Sequence, residues 1–348
     1  MVIDSFEHIM HVLVTGGAGY IGSVLVSRLL KEGYQVTVLD RFFFGKDSLD
    51  PLLKNPSLTL IQDDVRWFNP KILNKVDVVI DLAALSNDPS SELDPQKTME
   101  INYKGRARVA KLSKEHKVKS YILASSCSIY GYKEELLDEN SEINPLTTYA
   151  KANRKAELSA QKLSSEKFTT VMLRFATVYG NSGRMRFDLA VNGMVLGYYK
   201  NGVVPIMRNG KQWRPFIHVK DVAEAYVKTI QASKDKINGE IFNVGSDNQN
   251  YQILPLAREV AKALKIPFRK KWYGDPDLRS YKISFKKLKN TLGYKSKYSV
   301  SMASKEIYMA LKKGMSRDDL KTRTVEWYKY LLESKEILDS ITIKNKIF

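Results

Sequence analysis

The chain has 348 residues, with 56 Lys and Arg against 38 Asp and Glu and a net charge of +18. Its single cysteine excludes an internal disulfide and fits a reducing, cytoplasmic compartment, and no apolar window approaches the length of a membrane span. The basic excess is heaviest after residue 260 but is scattered along helical patterns without a base-reading motif, which points to a lysine-rich surface that attracts anionic ligands and not to specific nucleic-acid binding. Residues 1–9 carry charges and no apolar core, so no signal peptide is expected there.

The first apolar run, His11-Val12-Leu13-Val14, leads into Thr15-Gly16-Gly17-Ala18-Gly19-Tyr20-Ile21-Gly22, and an amphipathic helical pattern leaves it through Leu30. Strand, glycine turn and helix form the context a dinucleotide fingerprint requires. Gly16 suits the tight turn, Gly19 the approach of a pyrophosphate to the helix N-terminus, and Gly22 close packing of the helix on the sheet. The next strand, Val36-Thr37-Val38-Leu39, ends in Asp40, where a carboxylate accepts from both ribose hydroxyls of NAD and repels the 2′-phosphate of NADP. Arg41 follows, and an arginine there is able to pair with that phosphate, so NAD is the expected cofactor with Arg41 as the opposing feature.

Further strands are expected at Leu58–Ile61, Val76–Leu82, Ser120–Ala124 and Thr169–Phe175, with helices near 95–117 and 148–167 between them. That alternation predicts an α/β chain with a Rossmann-type doubly wound parallel sheet. Glycine, proline and polar residues become frequent from 180 to 215; a helix at Val219–Ala232, a strand at Glu240–Val244 and a helix at Ile253–Leu264 follow, and a last helix lies near 317–338. The expected division is an NAD-binding domain over 10–180, with some later segments interleaved, and a smaller α/β substrate-binding region with C-terminal helices over 181–348.

By residue 150 the chain resembles the extended short-chain dehydrogenase/reductase family, in its sugar-nucleotide epimerase and dehydratase branch. The resemblance rests on motifs in a fixed order over nearly the whole chain. After the glycine turn come Asp64-Val65, where family members hold the adenine, and Leu82-Ala83-Ala84 beside the cofactor. Asn102-Tyr103-Lys104-Gly105 matches an Asn-x-x-Gly helix motif, and Ser125-Ser126-Cys127-Ser128-Ile129-Tyr130-Gly131 ends strand five, with Tyr149 on the next helix. Arg174-Phe175-Ala176-Thr177-Val178-Tyr179-Gly180 matches a strand that usually ends in Asn-x-Tyr-Gly, so Thr177 stands where Asn is common. The segments around Arg214 and Asp277-Leu278-Arg279 resemble those that hold a nucleotide diphosphate, and Arg184, Arg186 and Asn192 lie in a loop entering a helix, a place suited to phosphate or sugar.

The resemblance implies that Tyr149 is the base for a sugar hydroxyl and that Ser126 orients the substrate oxygen, with Tyr149 and the residue one helical turn on also meeting the cofactor. A tyrosine must be shifted down from about 10 to work as a base near neutrality. The family pattern Tyr-x-x-x-Lys supplies a cation for that purpose, but here the fourth residue after Tyr149 is Asn153, and on a helix Lys151 and Lys155 point elsewhere. Asn153 is able to hydrogen-bond the nicotinamide ribose but carries no charge, so Tyr149 should be a weaker base unless another cation compensates. Sugar-nucleotide 4,6-dehydratases carry Asp-Glu where this chain has Cys127 and Ser128, which argues against dehydration. The four histidines are dispersed and offer no metal-site spacing.

The expected function is NAD-dependent epimerisation of a nucleotide sugar by transient oxidation at C4, most like the UDP-glucose 4-epimerases. A dehydrogenase releasing a keto sugar, decarboxylation of a uronic acid, and a cofactor-bound regulatory protein without turnover are the alternatives. A homodimer through the helices near 95–117 and 148–167 is expected, with no membrane association.

Overall fold

Runs of Val, Leu and Ile covered on both faces favour the middle of a parallel sheet, and this chain builds one from seven of them. In the computed structural model, which describes residues 9–275, 279–343 and 346, these are β1 (His11–Thr15), β2 (Gln35–Asp40), β3 (Leu58–Gln62), β4 (Val78–Asp81), β5 (Ser120–Ser126), β6 (Thr169–Phe175) and β7 (Ile241–Val244). All pair in parallel, in the order β7-β6-β5-β4-β1-β2-β3. Val14 stands opposite Val38 on one side and Ile80 on the other. The strand order reverses between β1 and β4, and ligands of such sheets bind at the carboxyl ends beside that reversal.

The helices used below are α1 (Tyr20–Lys31), α2 (Arg106–Glu115), α3 (Thr148–Gln161), α4 (Ala190–Asn201), α5 (Val219–Gln231), α6 (Ile253–Leu264), α7 (Val300–Lys312) and α8 (Thr324–Ile341). Alternation along β1 sends Val12 and Val14 to one face, where Leu25 and Val26 of α1 and Val222 and Tyr226 of α5 cover them. Leu13 points to the other face, onto Val109 and Ala110 of α2 and Ala156 and Ala160 of α3. Each such buried Leu or Val contributes about 1.5–3 kcal/mol. A second core joins Val191 and Val195 of α4 to Leu256 and Val260 of α6 and Ile307 of α7. Small two- and three-stranded sheets surround it, including Trp213–His218 beside Thr177–Tyr179. Although β7 and α5 lie late in the chain, both belong to the seven-stranded layer.

Strand ends shift by one or two residues from the sequence expectation, and three helical stretches differ by more. The helical stretch near 95–117 is Pro95–Met99, a wide π-type turn at Glu100–Gly105, and then α2. The helix expected to reach 167 stops at Gln161, because Asn238 draws the following serines into a turn by donating to the Ser165 carbonyl and accepting from the Ser164 hydroxyl. The last helix begins at Thr324, after a short turn at Leu320–Thr322 that Asp319 caps.

Candidate active site

The glycine turn fits its backbone closely. Gly16 has φ +68°, and a Cβ there would lie 2.9 Å from the Ala83 nitrogen. A Cβ on Gly22 would come within 2.3 Å of the Gly16 carbonyl oxygen, so the closest approach this glycine permits is helix to turn, not helix to sheet. The turn opens onto a cavity of about 1050 Å³ at the carboxyl ends of the central strands. Gly16, Gly19, Tyr20, Ile21, Gly22, Asp40 and Arg41 line one end, with Asp64, Val65 and Leu82, Ala83 and Ala84 beside them. Ser126, Tyr149 and Asn153 line the middle, and Thr177, Arg186, Arg214 and Arg279 the far end.

Two expected site residues, Asn102 and Asn192, stand behind this wall with their amides taken up. Asn102 accepts from the Leu85 nitrogen and donates to the Leu85 carbonyl, holding the loop after β4. Asn192 accepts from the Gly180 nitrogen and donates to the Tyr20 hydroxyl and the Arg186 carbonyl. Both position the wall, and neither lines the cavity.

At the cofactor end, Asp40 accepts from the Ala18 nitrogen at 3.0 Å and the Phe42 nitrogen at 2.7 Å, tying β2 to the glycine turn. Burial raises its carboxyl above the ordinary value, against the pull of those amides. Arg41 donates to Asp64 at 2.8 Å on the cavity wall, with its guanidinium 4.8 Å from the Phe43 ring. The arginine that could have met a 2′-phosphate is therefore held by Asp64. Burial alone would raise the Asp64 carboxyl, but the hydrogen bonds from Arg66 and Arg41 outweigh it and hold it low. Arg66, unremarked in the sequence, grips Asp64 through Nε and Nη2 at 2.9 Å each.

In the middle of the cavity, β5 delivers Ser126, whose hydroxyl accepts from the Ser128 nitrogen at 3.1 Å. Cys127 is buried and donates to the Arg174 carbonyl, and burial pushes its thiol far up, as suits a packing residue. Ser128 is buried on the cavity wall, and its hydroxyl has no protein partner. Helix α3, capped by Thr147, brings Tyr149 to the cavity and Asn153 one turn on, where the Asn153 amide donates to the Tyr149 carbonyl at 3.0 Å. Burial raises the Tyr149 phenol above its ordinary value, and the Asp88 carboxylate adds to this; Arg106, the Asn153 amide and Arg186 act in the opposite direction.

Arg106, to which no motif in the sequence points, is 1% exposed and reaches the cavity from the first turn of α2. It donates through Nη1 to the Asn153 side-chain oxygen at 2.9 Å, and through Nη2 to the Asp81 and Ala124 carbonyls. Its position was legible as an anomaly: Arg106, Val109, Ala110 and Ser113 form the buried stripe of this helix, and an arginine in such a stripe needs a reason.

At the far end, Arg186 forms a fork on Asp188 and lies near Ser86, Arg214 donates to the Trp213 and Arg279 carbonyls, and Arg279 pairs with Asp88. Asp277 and Leu278 lie outside the described residues. Arg184 stacks 3.6 Å from the Phe44 ring and donates to Thr324; burial, with repulsion from Arg186, lowers it to about 9. Residues of α8 cover the loop that follows Asp40 at the cofactor end: Trp327 donates to the Phe43 carbonyl, and Tyr328 packs on Phe43 and Phe44.

The sequence profile of the NAD dependent epimerase/dehydratase family matches residues 12–245. Over 316 residues the chain is 30% identical to a UDP-glucose 4-epimerase of Lactobacillus helveticus, covering 83% of this chain and 93% of that protein. It is also 30% identical over 305 residues to UDP-glucuronic acid decarboxylase 1 of Arabidopsis thaliana, covering 84% of this chain and 67% of the relative. A crystal structure of UDP-glucuronic acid 4-epimerase from Bacillus cereus, in complex with UDP-glucuronic acid and NAD, superposes with a TM-score of 0.80 at 26% identity, over 87% of this chain and 99% of that one. With its profile matched from β1 to β7 and relatives aligned over more than four fifths of its length, the chain belongs to the NAD dependent epimerase/dehydratase family and is an NAD-dependent enzyme of the sugar-nucleotide epimerase and dehydratase kind.

Proposed function

We propose that the protein is a 4-epimerase of a UDP-linked sugar. The observation that carries this reading is the shared wall of Ser126 and Tyr149 in a cavity that also holds the glycine turn at one end and Arg186, Arg214 and Arg279 at the other. NAD, held by the glycine turn, Asp40 and the Asp64–Val65 segment, supplies the hydride acceptor. The ionised Tyr149 takes the proton of the C4 hydroxyl, and Ser126 orients that oxygen. Asn153, on the cavity wall, would hydrogen-bond the nicotinamide ribose of bound NAD, and the arginines would offer donors to the diphosphate. Epimerisation then requires the 4-keto sugar to turn its other face before hydride returns and Tyr149 gives the proton back.

Elimination of water is not part of this proposal. Cys127, where dehydratases carry an acid, is buried with its thiol raised and donated to a carbonyl, and Ser128 is a hydroxyl without acid strength. Decarboxylation is the second reading, favoured by the 30% identity to a UDP-glucuronic acid decarboxylase. It shares the C4 oxidation and differs in the fate of the keto sugar, which loses its carboxylate. Incubation with UDP-glucose, UDP-galactose and UDP-glucuronic acid, and proton NMR of the products, separates the two. A C4 epimer with all carbons retained is expected. Release of carbon dioxide with a UDP-pentose as the product replaces the first reading by the second, and a free 4-keto product marks a dehydrogenase.

A further inference from the structure

We propose that Arg106 supplies the buried positive charge that prepares Tyr149 as a base, taking over from another helix the task for which Asn153 lacks a charge. The inference rests on the reading of Tyr149 as the base.

The geometry carries it. Asn153 lies one turn beyond Tyr149, facing the cavity, and its side-chain oxygen is filled by Arg106 Nη1 at 2.9 Å. The guanidinium therefore begins where the short amide ends, the region a longer cationic side chain at position 153 would have to reach. Its Nη2 is fixed by two carbonyls, of Asp81 at the end of β4 and Ala124 in β5, so the group has no freedom to swing away. Its guanidinium spreads one positive charge over a rigid planar fork, which fits it to hold that charge at a fixed place.

The nearest carboxylate does not cancel this charge at Tyr149. Asp81 approaches the Nε edge at 3.8 Å, while Asn153 meets the Nη1 edge. The Asp81 carboxylate also accepts from Thr15 at 2.6 Å and Tyr121 at 2.5 Å. The cation thus stands between that anion and α3. The other charged groups around Tyr149 are already committed. Asp88 pairs with Arg279, Arg186 forks on Asp188, and Glu92 accepts from the nitrogen and hydroxyl of Thr148. Lys151 and Lys155 of the same helix are exposed. Arg106 is a positioning residue in this scheme: it acts on Tyr149 through the field it sets and through the Asn153 amide it orients.

The test compares NAD-loaded wild type with Tyr149→Phe, Arg106→Met, Arg106→Gln, Asn153→Lys and Arg106→Met/Asn153→Lys. Two quantities are followed against pH: sugar-dependent reduction of the bound nicotinamide, and the ultraviolet phenolate titration that Tyr149→Phe removes. Melting temperature and bound-NAD content establish that each variant is folded and loaded. Arg106→Met should move both midpoints to higher pH by about one unit or more, and the double variant should bring them back, since a nearby cation is worth about 1–3 units. Asn153→Lys alone places a second cation beside Arg106, which drives a buried lysine toward its neutral form, and should move the midpoints less than the same change does in the Arg106→Met background. A folded, NAD-loaded Arg106→Met with unmoved midpoints overturns the inference. So does the same result in Arg106→Gln, which removes the charge but keeps a hydrogen-bonding side chain and decides the matter if Arg106→Met does not fold. If Tyr149→Phe retains turnover, the base assignment itself fails, and that result is read independently of the other variants.

Discussion

Tyr149 and Asp40 illustrate how one site sets opposite demands on buried groups. As the proposed base, Tyr149 would have to ionise in a place where burial disfavours the phenolate, so its reactivity would depend on the cations and amides around it. With the ionised form as that base, oxidation of the sugar should rise with pH through the phenol's midpoint and level off on the alkaline side. Tyr149→Phe should abolish reduction of the bound nicotinamide while leaving NAD in place, measured by nucleotide released on denaturation. Asp40 ties the turn while lining the cavity, accepting from Ala18 and Phe42, and we propose that it also meets the cofactor. Asp40→Ala should weaken NAD by about tenfold or more, or about 1.4 kcal/mol, and narrow its preference over NADP, as read by calorimetric titration with each nucleotide. Retention of full discrimination in that variant would move the determinant to Arg41 or Asp64.

Among the elements, α3 matters most because it carries Tyr149 and must be held at a fixed height over the sheet. A buried pair does this. Arg174 of β6 donates to Glu157 of α3 at 2.8 and 2.9 Å, and Ser125 of β5 donates to the same carboxylate at 2.7 Å. Burial opposes the Glu157 charge, but Arg174, Ser125 and Arg154 together hold its carboxyl below the ordinary range. Its contribution to stability is therefore present above the ordinary carboxylate pKa, near 4.3, and is lost as pH falls through the lower folded value. Arg174→Leu leaves that carboxylate buried without its main partner and should cost about 3–5 kcal/mol, visible as a lower urea midpoint at neutral pH. The C-terminal helix α8 has a different task. Through Trp327 and Tyr328 it covers the Phe42–Phe44 loop beside Asp40. Truncation before Thr324 should speed NAD loss on gel filtration, with the seven-stranded layer still folded by circular dichroism. Unchanged NAD retention would reduce α8 to an outer support.

For the whole molecule, charge and assembly are the open quantities. We propose a homodimer through the 95–117 and 148–161 helices, whose outer face exposes Lys104, Lys111, Lys151 and Lys155 around a 40% exposed Leu158. Bringing these lysines together is opposed by like charge at low ionic strength, so association should strengthen with salt. Light scattering at micromolar protein across a salt series checks this, and a monomer throughout removes the proposal. The net charge of +18 should also give weak binding to duplex DNA that disappears by physiological salt. A complex with sequence preference that survives there would point to a function outside the cavity. No described helix is long and apolar enough to cross a membrane.

Local sequence settled whatever depends on neighbours along the chain. The alternation of apolar runs and helical patterns determined the parallel sheet, and the glycine spacing with Asp40 determined the dinucleotide end, because backbone turns and strand faces are fixed over a few residues. The order of motifs determined the family. Tertiary structure decided what depends on residues far apart. Arg41 could not be known to spend its charge on Asp64, since the two meet only when β2 and β3 lie side by side. Asn102 and Asn192 carry site-like sequence contexts, yet the fold turns their amides into the wall. Asn153 reads as a missing charge until α2 packs beside α3 and sets Arg106 against it, 47 positions away. Electrostatics acts through space, and a sequence lists its charges without the distances that decide which of them meet.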